Sequence, residues 1–229
     1  MYPTDFSSRN NYSPLGYLKA ASVIEKVRRE CEANGDISIY IEDGDFIEGS
    51  PMTDYAYQTR NVKGYNKCLV KMIDHLQANV GILGNHEFNY GPQYLNETLV
   101  KRTYPILNAN MQEGLESYVI DASYTILEKK GVRIGILGLT TPYISHWEQP
   151  RNIKGWKFNS ALEAAKQYVS ELRQQCDIVI VAYHGGFERD LAPGVPTEEL
   201  TGEDEGYAIV SEVPGIDAFV TGHQYRLIA

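Results

Sequence analysis

Cysteine is scarce in this chain, and what there is does not pair. Three thiols in 229 residues, Cys31, Cys68 and Cys176, stand singly in segments that read as helices or helix ends. That spacing gives neither a disulfide framework nor a Cys-x-x-Cys metal site, and free, mostly buried thiols are expected. No apolar run is long enough to cross a bilayer, and no export signal precedes Tyr2. Positive charge is also short: 21 Lys and Arg face 30 Asp and Glu, a formal net charge of -9. Such a balance argues against binding nucleic-acid duplexes or anionic membranes, which call for a basic surface. It leaves small phosphate substrates open, because an acidic site can hold divalent cations that then attract the anion. Repeats and low-complexity tracts are absent, and the length suits one α/β domain or two small ones.

What is present alternates. Residues 1–14 are polar and punctuated by Pro3 and Pro14, a loop. Helical spacing of apolar residues from Leu15 to Ala33 predicts an amphipathic helix ended by Asn34 and Gly35. Ile37 to Ile41 alternates like a strand and runs into the acidic, glycine-containing EDGDFIEGSP. Gly64 to Gln77 reads as a helix leading to a strand at Val80 to Leu83, and Pro92 suits the first turn of the next helix. A short strand over Pro105 to Asn110 precedes a hairpin, Tyr118 to Leu127 and Val132 to Leu139, with its turn at Glu128 to Gly131. After a long loop, Thr140 to Gly155, come a helix from Asn159 to Gln175, a strand from Asp177 to Ala182, a loop from Ala192 to Asp204, a helix from Glu205 to Val213 and a strand from Ile216 to Val220. This order predicts one α/β domain with its site along one sheet edge.

Polar residues recur where the strands end: Asp45, then Asn85 and His86 within GILGNHEFNYG, then His184, then His223. One Asp, one Asn and two His from four separate strand ends are a plausible hard-to-borderline ligand set. Each loop taken alone also fits an ordinary polar connection, and His75 and His146 are read as structural.

The blocks GDFIEGSP, GNHEFNYG, YHGG and TGHQYR, in that order, resemble the metal-binding blocks of the calcineurin-like metallophosphoesterases, most closely the bacterial 5'-nucleotidase and 2',3'-cyclic-nucleotide phosphodiesterase branch. The resemblance covers nearly all of residues 1–229. It implies an αββα sandwich and metal-dependent hydrolysis of phosphomono- or phosphodiesters, nucleotides foremost, by water activated on two divalent ions (Mn, Zn, Mg, Ca or Fe). By motif, Asp45 matches the bridging ligand, Asn85, His184 and His223 match the other ligands of one metal, and His86 matches the residue that stabilises the transition state or protonates the leaving oxygen. The chain departs from the family pattern in its first block, since no Asp-x-His occurs, and in its last, where Tyr225 stands at a position usually held by His. Those departures remove partners of the second metal, since a neutral phenol with a pKa near 10 is a poor ligand. They lead us to expect a catalytic domain lacking the family's first strand and its C-terminal base-binding domain, with one ion or two, and association through an open sheet edge. A degenerate, non-catalytic metal- or nucleotide-binding module is the alternative. The tyrosines Tyr55, Tyr57, Tyr90 and Tyr143 are read as packing and loop residues. Family members are often exported, and nothing in the chain assigns a compartment.

Overall fold

The computed structural model describes residues 16–114 and 118–225, so the expected loop over residues 1–14 lies outside it. Two sheets carry the architecture. In the first, β1 (Ile41–Glu42), β2 (Val80–Ile82) and β3 (Ile106–Leu107) run parallel in the order β1-β2-β3. The second orders β5 (Tyr124–Lys129), β6 (Val132–Thr140), β8 (Ile178–His184) and β9 (Ala218–Thr221) side by side, with β5 antiparallel to β6 and the rest parallel. A small antiparallel pair, β4 (Met111–Gln112) and β7 (Lys157–Phe158), lies apart.

Alternation along each strand sorts side chains into layers. Val80 and Ile82 of β2, Ile134 and Ile136 of β6 and Ala182 of β8 form the core between the two sheets. The opposite faces of β6 and β8, Leu137, Leu139, Val179, Val181 and Tyr183, pack on α7 (Ala161–Arg173) and α8 (Gly206–Glu212). Outside the first sheet, a third cluster gathers residues of α2 (Pro51–Gln58), α4 (Asn66–His75) and α5 (Gly91–Leu99). Helices, sheet, sheet, helices is the αββα order the resemblance implied. α1 (Tyr17–Asn34), α3 (Arg60–Lys63) and α6 (Ile144–Trp147) complete the set.

Several expectations need correction. The candidate site does not lie along one sheet edge; it forms where the carboxyl ends of both sheets meet, because Asp45 and Asn85 follow β1 and β2 whereas His184 and His223 follow β8 and β9. The strand expected at Ile37 to Ile41 pairs only at Ile41–Glu42, since its neighbour β2 starts at Val80; Tyr40 is instead tied to Asn79. Ile37, Ile39 and Ile41 still face the inter-sheet core, as their alternation predicts. The hairpin turn tightens to Lys130 and Gly131, with φ of 53° and 78°, the left-handed pair that a two-residue connection of twisted strands requires. α2 was not foreseen, although Ser50, Pro51 and Thr53 build a capping box in front of it. Of the three free thiols only Cys176 is buried; Cys31 is half-buried and Cys68 exposed.

The two sheets meet backbone to backbone at Gly138 of β6, where an added Cβ would stand 2.6 Å from the Leu107 carbonyl carbon. The same contact is stitched by Ala109 N–H donating to Gly138 O at 2.8 Å. Because backbone must yield on one side, Gly138→Ala is expected to cost about 1–3 kcal/mol, read as a lower urea midpoint with unchanged slope. An unchanged midpoint would show that the two sheets have slack there.

Candidate metal centre

Backbone geometry at the strand ends aims the polar groups inward. Asp45 and His223 hold left-handed backbone, with φ of 60° and 68°, a conformation that costs a non-glycine residue energy and tends to persist where side-chain placement matters. Gly84 lets the two loops of the first sheet close on each other: a Cβ there would collide with Asp45 Oδ1 and lie 2.7 Å from His184 Cε1. A buried carboxylate joins the same loops. Glu87, fully buried, accepts from Asp45 N–H and Gly84 N–H through Oε2, both at 2.7 Å, and from Phe46 and Ile47 N–H through Oε1 at 2.9 and 3.4 Å. Burial and the nearby Asp45 charge push Glu87 up to about 7, against the pull of those N–H donors.

Four side chains converge in front of this scaffold. Asp45 Oδ2 lies 3.1 Å from His184 Nε2, and Asn85 Oδ1 lies 3.2 Å from the same nitrogen and 3.0 Å from His223 Nδ1. Donor atoms of Asp45, His184 and His223 all fall within 4.8 Å of one another. Donors bonded at about 2.1 Å to one tetrahedral ion stand roughly 3.4 Å apart, so the set needs little adjustment to hold one. Both imidazoles are also oriented from behind. His184 donates Nδ1–H to the Asp43 carbonyl, and His223 Nε2 meets Glu203 Oε1 at 3.2 Å. Each ring thereby keeps its other nitrogen free to face the centre, the arrangement found behind metal-ligating histidines. Burial lowers the His184 pKa, but Asp45 and Asp43 outweigh it and raise it to about 9. Asp45 is held below its ordinary value because the bonds from His184 and His86 N–H outweigh its own burial.

His86 sits at the rim, its Nδ1 2.6 Å from Asn89 Oδ1 and 3.2 Å from Glu48 Oε2. Tyr225 is not drawn in: it is 92% exposed to solvent. His75 ends α4 and His146 stacks on Tyr143 at 3.8 Å, so neither joins the set. Tyr57 and Tyr90 stack at 4.0 Å with Tyr94 edge-on to both, as packing residues do. Residue spacing missed the supporting groups: Glu87, Glu203, and Asp43, whose carboxylate oxygens are buried without a hydrogen-bond partner and whose pKa burial pushes up to about 7 against His184. It also missed Gln224, which accepts from Phe187 N–H at 3.0 Å and donates to Asp204 at 2.7 Å, latching the last loop to the one after β8. Of these only Glu87 carried a signal, as a carboxylate beside the GNH block on a tight turn.

Replacing Glu87 by Gln exchanges one acceptor for an amide that faces backbone N–H groups. At about 1–3 kcal/mol for each buried group left unsatisfied, the loss is expected to be about 2–5 kcal/mol by denaturant titration, with metal affinity falling alongside. Unaltered stability would mean that Glu87 does not hold the two loops together.

The calcineurin-like phosphoesterase family model matches residues 17–227. The 2',3'-cyclic-nucleotide 2'-phosphodiesterase/3'-nucleotidase of Salmonella typhimurium is 31% identical over 99% of the chain and 35% of its own length. The 5'-nucleotidase of Vibrio cholerae is 27% identical over 82% of the chain and 33% of its own length. A solved Staphylococcus aureus structure, provisionally named a 5'-nucleotidase, superposes with a TM-score of 0.89 at 45% identity, covering all of this chain and 44% of that one. The chain thus spans about a third of the length of the curated relatives it matches. On the family match and on these relatives, the chain belongs to the calcineurin-like phosphoesterases.

Proposed function

We propose that the chain is the catalytic domain of a phosphoesterase acting on nucleotides, of the 5'-nucleotidase or 2',3'-cyclic-nucleotide phosphodiesterase type. The observation that carries this reading is the convergence of Asp45, Asn85, His184 and His223 from the ends of four strands in two sheets. Its relatives are named for nucleotide ester hydrolysis, and the family uses divalent metals. The four residues would hold one such ion through one carboxylate oxygen, one amide oxygen and two imidazole nitrogens, a set open to Mn, Zn, Mg, Ca or Fe. Bound there, a divalent ion polarises phosphate oxygens and makes water a stronger nucleophile. The protein's own part is to aim the ligands and to keep Asp45 ionised. His184 spends its Nδ1 proton on the Asp43 carbonyl, and Asp45 stays ionised. His86, next in sequence to Asn85, has its Nδ1 occupied by Asn89, so Nε2 is the atom that can give a proton to the departing ester oxygen.

A second reading, a module that binds a single ion without turnover, is favoured by the exposure of Tyr225 and by the one ligand cluster found among the described residues. Bound metal per chain, measured by elemental analysis after dialysis, separates the two: two ions support the enzyme and one the module. Hydrolysis of bis-p-nitrophenyl phosphate and of 2',3'-cyclic AMP with Mn2+ tests turnover. We expect His86→Ala to lose about 10²- to 10⁴-fold in kcat and Asn85→Ala to lose metal affinity. Activity surviving both substitutions would overturn the assignment.

Metal affinity should depend on pH with a definite sign. The raised pKa of His184, about 9, means that below this pH the metal-free fold keeps a proton on Nε2, between it and Asp45. An incoming cation must displace that proton. Apparent affinity for Zn2+ should therefore climb roughly tenfold per pH unit towards pH 9 and then level off, as calorimetry in two buffers of different protonation enthalpy would read directly. The stability of the metal-free fold runs the other way: the His184 contribution is full below the ordinary imidazole value of about 6.5 and is lost as pH rises through the folded value.

A further inference from the structure

His86 is not fixed by its own contacts alone. Asn89, which receives the His86 ring at 2.6 Å through Oδ1, gives its amide Nδ2 to Glu148 Oε1. The other oxygen of Glu148 accepts from Asn152 Nδ2 at 2.9 Å, and that same Nδ2 also donates to the Asn89 carbonyl at 2.8 Å. Glu148 and Asn152 come from the long loop after β6, Glu148 directly behind α6, far in sequence from the GNHEFN block. All three relay residues are half-buried.

Directionality along this chain follows from what each group can do. A carboxylate only accepts, so the end of Asn89 that meets Glu148 must be its NH2 and the end that meets His86 must be its oxygen. An oxygen facing Nδ1 requires a proton on Nδ1. Asn152 cannot turn to relieve a mismatch, because both hydrogens of its Nδ2 are committed, one to Glu148 and one to the Asn89 backbone.

We infer that Glu148 is a positioning residue that acts through Asn89 to set the tautomer of His86, placing the ring proton on Nδ1 and leaving Nε2 as the one nitrogen at which a proton is exchanged with substrate. This rests on the phosphoesterase reading for its consequence, though not for its test. A Gln at position 148 would offer one acceptor and one donor. With Asn152 immobile, the acceptor goes to Asn152, the new NH2 meets Asn89, and Asn89 turns over to present its own NH2 to His86. The ring proton then moves to Nε2, and giving it up would leave an imidazolate, whereas the Nδ1–H ring carrying a second proton on Nε2 gives that proton and stays neutral.

Glu48 Oε2, 3.2 Å from the same Nδ1, is a competing acceptor and must be removed to isolate the relay. The experiment is long-range proton–nitrogen correlation on metal-free full-length protein with 15N-labelled histidine. It is run at mildly alkaline pH. It compares wild type, Glu48→Ala, and Glu48→Ala with Glu148→Gln. We expect Nδ1–H in the first two and Nε2–H in the third, with circular dichroism showing all three folded. Loss of the Nδ1 proton in Glu48→Ala alone would assign the tautomer to Glu48, and its retention in the double variant would remove Glu148 from the relay; either overturns the inference. Should the double variant not fold, an Nε2–H signal in wild type or in Glu48→Ala still refutes it.

Kinetics separate the inference from the reading on which it rests. With Mn2+ and a phosphodiester, Glu148→Gln in the Glu48→Ala background should lose roughly 10- to 100-fold in kcat relative to Glu48→Ala alone, with KM unchanged. A correct tautomer switch in a protein without any hydrolysis would leave the relay standing and retire the phosphoesterase reading. Hydrolysis unaffected by Glu148→Gln in that background would retire the relay and leave the reading intact.

Discussion

Everything at the centre of this molecule hangs on the carboxylate of Glu87. It is a short side chain with no access to water, and it accepts backbone N–H groups from residues 45, 46 and 47 on one loop and residue 84 on another. Each of those donors would otherwise be a buried orphan, and the left-handed turn at Asp45 would lack the contacts that hold it. An unmet buried N–H costs about 1–3 kcal/mol, so four donors on one acceptor make a rigid joint rather than a loose loop. The joint closes the first sheet's two strand-end loops onto each other, and it is this closure that puts Asp45 and Asn85 within reach of the histidines from the second sheet.

From that joint the electrostatics follow in order. Two acidic side chains and a carbonyl around His184 hold a proton on a buried imidazole that burial alone would strip. The protein thereby stores a positive charge where a divalent cation fits. The far side of each ring is met by an oxygen, the Asp43 carbonyl for His184 and Glu203 for His223, so each nitrogen facing the centre is set from outside the ligand set. His86 follows the same logic one step further out, through Asn89 to Glu148. A site assembled this way is accurate because each polar group has a partner that leaves it one role.

Much of this was readable without coordinates, and the reasons are local. β6 and β8 read as apolar runs because each is covered on both faces, and the amphipathic helices showed their periods because each has only one covered face. Asp45, Asn85, His184 and His223 were legible because strand ends in α/β sheets place polar residues at a common rim. What could not be read was which groups serve that rim from a distance. Glu87 showed as a carboxylate beside the GNH block on a tight turn but not as the brace for four backbone N–H groups, Glu203 and Glu148 lie in loops without motif, and the value of Asp43 depends on burial that no sequence window displays. The number of sheets came from the resemblance to an αββα sandwich and not from the strand ends themselves. Strand ends that looked like one edge belong to two sheets, because the pairing of β1 with β2 rather than with β8 is a tertiary choice. The capping box at Ser50, with Pro51 in the first turn, announces α2 in the sequence itself.

The central claim is that these four strand ends form a single ion site with defined donor atoms. Anomalous diffraction from crystals soaked in Zn2+ or Mn2+ tests it most directly. The account predicts an ion about 2.0–2.2 Å from Asp45 Oδ2, Asn85 Oδ1, His184 Nε2 and His223 Nδ1. Absence of an ion at these four atoms, or one held through His184 Nδ1 or His223 Nε2, would contradict it.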